Sequence, residues 1–525
     1  MQKATIWKNN EVDSDHLTEI LASGKWDALN DIDGFFAGVY KGNQKTFLFC
    51  DRLGVYPLFY CTHNDRLFAA PSMAELLDTI PFDPTPSIEG VLSLLLFGHH
   101  LADETVFKEI HRCQGGQVIK YSHDTSEISP TKWRKPHTYS SDSENAIEVR
   151  LADAFVRGVE KAVAGKEKII IPLSGGFDSR AVLGAALECT EADRIYAVTF
   201  GGEDALDFKI GQMVAKKAGV KSIAFPIADQ IFDESFQRRR ARDYAYGYSA
   251  FATQPQEMID YLDQEMLAGH PTIWGVGGDA ITGSHLRASD FALKPCETFE
   301  DWARLLVNKR AYLPLKDVVT LLGLDEHEAI CLIGGLLERS TLDYYEKPWR
   351  FLDAWDIFVR GTRETISVLP FSGQLWRCPH LSREYFHLMA TQCFDAKIHQ
   401  NVYRRMLASR YRSLFSLPSK RGRPVVLPHG WQDLCSAVGW AAGRVKDKAL
   451  RGVAGHRDPG AYRNYGRDQN FLASIKGQER LNRSLEVLIQ QGVIRQDKGK
   501  AFDLARSNAQ IARILITFGY AFEYN

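Results

Sequence analysis

Residues 174–179 read Ser-Gly-Gly-Phe-Asp-Ser, directly after the aliphatic run Lys168 to Leu173. A continuous apolar run of this length reads as a buried strand, and Ala181 to Glu188 beyond the loop reads as a helix. Two adjacent glycines let the backbone approach a ligand and turn its N–H groups inward. Ser174 and Ser179 add hydroxyls, and a helix start adds partial positive charge. That is the chemistry of a phosphate site. The loop has no lysine and does not fit G-x-x-x-x-G-K-[ST], so it is not the loop that grips the β- and γ-phosphates in ordinary ATP hydrolysis. A carboxylate inside an anion site repels phosphate unless a cation lies between them, so Asp178 is expected to be a Mg²⁺ ligand. The plainer reading is a Gly/Ser turn with an Asp N-cap, which the strand–loop–helix setting disfavours.

The elements that would position this loop form two blocks. Phe35 to Tyr40, Thr46 to Cys50, Pro57 to Cys61 and Arg66 to Ala70 read as strands, with a Gly42-Asn43 hairpin turn between the first two. A helical stretch from about Ser87 and a strand pair around Gly115-Gly116 complete a small β-rich domain expected at 1–125. The polar residues 126–146 read as linker. From 147 the pattern changes to strands alternating with helices. Strands at Lys168–Leu173, Arg194–Phe200 and Ser222–Pro226 enclose helices at 181–188 and around Ile210, Val214 and Ala218. This predicts an α/β domain over 147–525 with a doubly wound parallel sheet and a helical C-terminal half from about 255. The loop then sits where such a sheet places its ligand, at the carboxyl end of a strand.

Composition narrows the classes. The chain has 525 residues, 64 basic against 65 acidic, with a net charge of −1, which gives no argument for nucleic acid or an anionic membrane. The apolar run Val91 to Phe97 is far short of the roughly 20 residues that span a bilayer. The start of the chain has no apolar signal region, so the cytoplasm is the expected compartment. Nine cysteines without a CxxC pair argue against a disulfide framework or a zinc ribbon. His99-His100 and His399 lack metal-ligand spacing. Lys397 reads as structural or solvent-exposed, and Arg238 to Arg242 as a solvated helix face. Asn482-Arg483-Ser484 matches a glycosylation sequon that, without a secretion signal, carries no weight.

The SGGFDS loop resembles the pyrophosphate loop of the N-type ATP pyrophosphatases, and further motifs make the chain similar to the asparagine synthetase family. Asp33 to Tyr60 (DGFFAGVY…FCDRLGVYPLFY) resembles the second half of that family's N-terminal glutaminase domain, of Ntn type. Gly275-Val276-Gly277-Gly278-Asp279 resembles a second nucleotide loop. Leu417 to Gly422 (LPSKRG) resembles a late segment with a catalytic lysine, and Leu369-Pro370-Phe371 resembles the family's "PFLD" turn. The resemblance implies an adenine nucleotide α-hydrolase-like fold that binds ATP and Mg²⁺. A substrate carboxylate would attack the α-phosphate, pyrophosphate would leave, and a nitrogen nucleophile would displace AMP to form an amide. Asp178 and Asp279 would hold Mg²⁺. Lys420 would stabilise the transition state. Leu173, Ser174, Gly175, Gly176, Phe177 and Ser179, with Gly275, Gly277 and Gly278, would line the nucleotide. Val198, Thr199 and Phe200 would flank the adenine, and Arg180 would meet a phosphate or a substrate carboxylate.

Departures from the family redirect the function. The family's glutaminase nucleophile is a cysteine at position 2, where this chain has Gln2, and the nearest cysteine, Cys50, lies in a strand. The "DGxFA" element already starts at Asp33, so the glutaminase-like domain is expected to be truncated and without glutamine hydrolysis. The acid expected after Asp279 is Ala280. The Glu expected four residues before Pro370 is Ile366, with Glu364 nearby, and the Asp of the turn is Gly373. The expected activity is an AMP-forming amide ligase acting on a small-molecule or peptide carboxylate. Ammonia, a substrate amine or a separate pathway protein would supply nitrogen, as in β-lactam synthetases, lasso-peptide cyclases or surface-glycan homologues. Two alternatives stand beside it. One is a degenerate nucleotide-binding or interaction protein. The other is a tRNA-thiolating enzyme, which would need cysteines closer to the loop than Cys189 and a basic surface.

Overall fold

The computed structural model describes residues 3–8, 12–136, 138–140, 147–201, 203, 205–226, 234–235, 238, 241, 269–366, 376–419 and 471–523. The N-terminal block is β-rich. Strands β1 (Lys3–Lys8), β2 (Phe36–Lys41), β3 (Lys45–Cys50), β7 (Gln117–Ser122) and β8 (Ile128–Lys132) form one antiparallel sheet in that order. Strands β4 (Phe59–His63), β5 (Arg66–Ala70) and β6 (His111–Arg112) form a second, in the order β5-β4-β6. Helices α1 (Ser14–Ser23), α2 (Met73–Leu77) and α3 (Ile88–Phe97) accompany them. The β2–β3 hairpin turns where expected, with the Gly42 amide on Lys45 O at 2.8 Å.

The expected linker needs correction, because residues 128–132 are strand β8, paired antiparallel with β7. Its exposed residues and Pro130 suit an edge strand, where one face meets water and a missing N–H costs nothing. The sheet therefore runs beyond 125.

The second block is built on a parallel sheet. Strands β9 (Ile169–Pro172), β10 (Ile195–Gly201), β11 (Lys221–Pro226), β12 (Thr272–Ile273) and β13 (Trp376–Arg377) lie in the order β11-β10-β9-β12-β13, every pair parallel. The order runs outward from β9 through β10 to β11, then restarts on the other side with β12. Beyond both β9 and β12 the chain leaves the sheet at the same switch point, where open parallel sheets form their ligand crevice. Helices α4 (Ile147–Val163), α5 (Phe177–Cys189) and α6 (Leu206–Ala218) belong to this block. Beyond residue 278 the described residues are mainly helical.

Residues 356–360 form a π-helical turn between the helices Pro348–Trp355 and Gly361–Ile366. The two blocks are tied across it. Thr362 Oγ1 donates to Leu53 O at 2.7 Å, Arg363 to Phe97 O at 2.9 Å, and the Thr341 amide to Gln114 Oε1 at 2.8 Å. Phe35 stacks on Trp376 with ring centroids 5.4 Å apart. Lys397 is structural and not solvent-exposed: its ammonium is buried and donates to Asp353 Oδ2, which also accepts from the Tyr139 hydroxyl. No described helix is long and apolar enough to cross a membrane.

Candidate active site: two loops and two carboxylates

Helix α5 begins at Phe177, four residues earlier than its sequence pattern indicates, with Gly176 as N-cap. Asp178 thus belongs to the first helical turn, where a carboxylate is favoured by the helix dipole. The loop is set by its own hydroxyls. Ser174 Oγ accepts from the Gly176 amide at 3.1 Å, and the Ser174 amide donates to Ser179 Oγ at 3.1 Å. The two hydroxyls also meet at 3.1 Å.

The loop after β12 packs directly against this turn. A Cβ on Gly278 would lie 2.5 Å from the Asp178 carboxyl, and one on Gly275 would lie 2.7 Å from the Ser179 amide. Only glycine permits that approach. Asp279 follows at the start of the short helix Gly278–Ile281. Between the loops lies a cleft with about 360 Å³ of free space, lined by Gly175, Gly176, Phe177, Asp178, Asp279, Gln400 and Ser419. The structure therefore brings Asp178 and Asp279, far apart in sequence, to one cleft at the switch point.

Both carboxylates are held from behind. Tyr403 Oη donates to Asp178 Oδ1 at 2.9 Å, and His380 Nε2 lies 2.9 Å from the same hydroxyl. An ionised Asp178 only accepts, so Tyr403 must donate to it and His380 must donate to Tyr403. Burial pushes His380 down to about 3, which keeps the imidazole neutral in this chain of bonds. Gln400 Nε2 reaches Asp279 Oδ1 at 3.4 Å and Thr282 Oγ1 at 2.7 Å. Tyr403, His380, Gln400 and Ser419 come from elements some two hundred residues downstream of the loop, and no local motif marks them.

Arg180 is placed differently from expectation. It is fully buried and absent from the cleft lining. Its guanidinium donates to Gly175 O at 3.0 Å, Leu417 O at 3.3 Å and Leu414 O at 3.4 Å, and also to Pro418 O. It is a strut between the first loop and the 414–418 segment, whose next residue, Ser419, lines the cleft. Helical spacing carries the signal: two residues on from Asp178 is a rotation of about 200°, the opposite face. Asp207, on the first turn of α6, lies near the loop, 3.1 Å from where a Gly175 Cβ would be.

Leu173 and Val198 are buried and lie beside the cleft without lining it; the Leu173 amide donates to Val198 O at 2.8 Å. Thr199 is buried and Phe200 half-buried on the same strand. Gly277 takes a left-handed φ of 80° as the N-cap of the short helix. Lys420, the segment Leu369-Pro370-Phe371 and Gly373 lie outside the described residues, as do Gln2 and the Glu364 side chain. Ile366 ends the helix that follows the π-turn.

The donor set suits the implied metal. Asp178 and Asp279 offer hard carboxylate oxygens on the cleft lining, and Mg²⁺ is held by one or two carboxylates with its remaining ligands from water and phosphate.

Residues 3–134 match a glutamine amidotransferase domain family. Similar curated proteins are the glutamine-hydrolysing asparagine synthetases of Rattus norvegicus, 29% identical over 195 residues, and of Mesocricetus auratus, 28% identical over the same length. Each match spans 36% of this chain and 34% of the relative, so the chain matches about a third of their length. Among solved structures, an allosteric regulatory enzyme of purine biosynthesis aligns at 10% identity and a TM-score of 0.17, over 42% of this chain and 60% of that one. Glutamine phosphoribosylpyrophosphate amidotransferase from B. subtilis, complexed with ADP and GMP, aligns at 11% and 0.17, over 53% and 57%. Likenesses this slight say nothing of this chain. With an amidotransferase-type domain at 3–134 and synthetase relatives, the chain is asparagine synthetase-like.

Proposed function

We propose that the chain is an ATP-dependent, AMP-forming amide ligase without glutamine hydrolysis of its own. The observation that carries this reading is the pairing of Asp178 and Asp279 on one cleft, between two glycine loops that open from adjacent strands at the sheet's switch point. The first loop would cradle the phosphates with its backbone amides, and the start of α5 would favour their charge. Asp178 and Asp279 would hold Mg²⁺, which when bound neutralises charge on the pyrophosphate leaving group. The Tyr403 and Gln400 bonds fix both carboxylates before substrate arrives, so little reorganisation accompanies the reaction. Lys420, directly after the cleft-lining Ser419, would stabilise charge at the α-phosphate.

The nitrogen source is ammonia or an amine. Cys50, Cys61 and Cys113, the described cysteines of the amidotransferase-type domain, are all buried. Cys50 Sγ donates to Gln114 O at 2.7 Å, while burial raises the Cys61 thiol to about 11 and pushes Cys113 well above its ordinary value. A thiol held protonated in a core is no nucleophile.

Product analysis tests the proposal. Protein incubated with Mg-ATP and fractionated cell extract should release AMP and pyrophosphate, and Asp178→Ala and Asp279→Ala should abolish both. ADP as the product, or AMP formation that survives both substitutions, would overturn it.

A further inference from the structure

A second cavity, open in part to solvent, lies between the two blocks, with about 440 Å³ of free space. Arg52, His99, Arg112 and Arg134 line it from the N-terminal side, and Thr341 and Phe358 face them from the helical side. Arg112, Arg134 and His99 are each more than nine-tenths buried. The three guanidiniums have no carboxylate within ion-pair distance among the described residues. Arg52 donates to Asn30 O at 3.1 Å, and Arg112 to Gly54 O at 2.5 Å and to His99 Nε2 at 3.0 Å. Arg134 donates to Thr341 O at 2.6 Å and lies 3.5 Å over the Phe358 ring.

The acids nearby are already engaged. Asp51 accepts from the backbone amides of Phe36, Leu53, Gly54, Val55 and Tyr56. Asp343 pairs with Lys132, Asp103 and Glu104 with Arg339, Asp33 with Lys161, and Asp31 with Arg383.

Two buried donors remain unspent. Arginine only donates, so His99 Nε2 accepts from Arg112 and the imidazole proton sits on Nδ1. That Nδ1 finds no partner among the described residues, and neither does Arg134 Nε. A buried donor without an acceptor is costly, and clustered buried cations without a counter-ion are costlier. One species resolves both, an anion with several acceptor oxygens.

We propose that this inter-domain cavity binds a small oxyanion, a phosphate or a dicarboxylate, which joins the amidotransferase-type domain to the helical region. The site is separate from the nucleotide cleft, and its ligand would contact both blocks at once. Burial, with a smaller contribution from the Arg52 charge, holds Arg134 down to about 10, and an oxyanion in contact would oppose that shift.

The test is calorimetric titration of orthophosphate, and separately of succinate, into the full chain and into its Gly176→Glu variant. The variant adds a carboxylate to the nucleotide loop and repels anions there. The expected result is one saturable site for at least one of the two anions, present in both proteins. Phosphate alone would mark a phosphate-bearing ligand, and succinate alone a dicarboxylate. Arg134→Met should weaken binding at least tenfold and Arg134→Lys should partly restore it. His99→Phe provides the same reading should Arg134→Met fail to fold. Absence of saturable binding of either anion would overturn the proposal. So would wild-type affinity in a folded Arg134→Met. Binding lost in Gly176→Glu alone would assign the anion to the nucleotide loop, overturning this proposal while supporting the ligase reading.

Discussion

Arg180 offers the sharpest test of how the first loop is held. Its guanidinium spans from Gly175 O to the carbonyls of residues 414, 417 and 418, so Arg180→Met cuts the link between the loop and the segment that leads to Ser419. The bonds to Gly175 O and Pro418 O are the two well-formed ones, and at about 1.5–3 kcal/mol for a hydrogen bond to a charged group they sum to about 3–6 kcal/mol. The bonds at 3.3 and 3.4 Å add little. Against this stands the cost of burying a cation with no carboxylate at hydrogen-bond distance among the described residues, a cost visible in its pKa, pulled down to about 10. Methionine removes that cost and keeps most of the volume. The net expectation is a loss of about 2–4 kcal/mol, measured by urea denaturation. ATP affinity, measured by titration, should fall at least tenfold because both walls of the cleft lose a fixed position, and Arg180→Lys should fall between the two. A variant within about 0.5 kcal/mol of wild type, the range of an ordinary surface substitution, would refute the strut. Unchanged stability with lost ATP binding would instead return Arg180 to direct contact with the ligand.

Gly278→Ala should destabilise by about 1–3 kcal/mol, since its Cβ would enter the Asp178 carboxyl. Gly335→Ala, in an exposed helix interior with open space around it, should stabilise by about 0.5–1 kcal/mol; denaturation midpoints check both. Tyr403→Phe leaves the His380 Nε2 proton without an acceptor and should cost about 1–3 kcal/mol in a thermal melt. It should also raise the Mg²⁺ concentration needed for AMP formation. Acid should unfold the protein in a defined window. His380 and His285 titrate near 3 and 4 in the folded chain, and His99 and His100 also lie well below the ordinary value near 6.5. The unfolded state therefore binds more protons, and their stability, complete above about 6.5, drains as pH falls toward 4. Asp51, raised to about 6 by burial, and Asp353, also raised by burial, run the other way but are two groups against four. In His380→Gln the slope of stability against pH below 6 should drop by about one proton, or about 1.4 kcal/mol per pH unit.

What the sequence discloses depends on how local the determinant is. The β9 strand and the loop after it are legible because an unbroken apolar run, two glycines and two serines lie within twelve residues. Strands β12 and β13 are two residues each, too short for any periodicity. Their place in the sheet comes from pairing with β9 and with each other, which is a tertiary fact. Strand β8 reads as linker because an edge strand with an exposed face has the composition of a loop. Asp279 is legible through its neighbouring glycines. Tyr403 sits on the helix Asn401–Arg410 and Gln400 is its left-handed N-cap; both hold the carboxylates and reveal themselves only through contact. Arg180 shows the opposite error, in which proximity to an anion loop suggests a ligand while helical phase turns the side chain into the core.

The π-turn at 356–360 can also be viewed as a matter of reading frame. Such a turn is what a helix makes of one surplus residue. Deleting one codon within it would restore α geometry and leave everything downstream in nearly its present phase, whereas a deletion in the preceding helix that left the turn in place would rotate everything downstream by about 100°. In the second case Thr362 would leave Leu53 O, Arg363 would leave Phe97 O, and Phe358 would no longer lie under Arg134. One small deletion there would thus undo the seam between the two blocks more thoroughly than any single substitution along it.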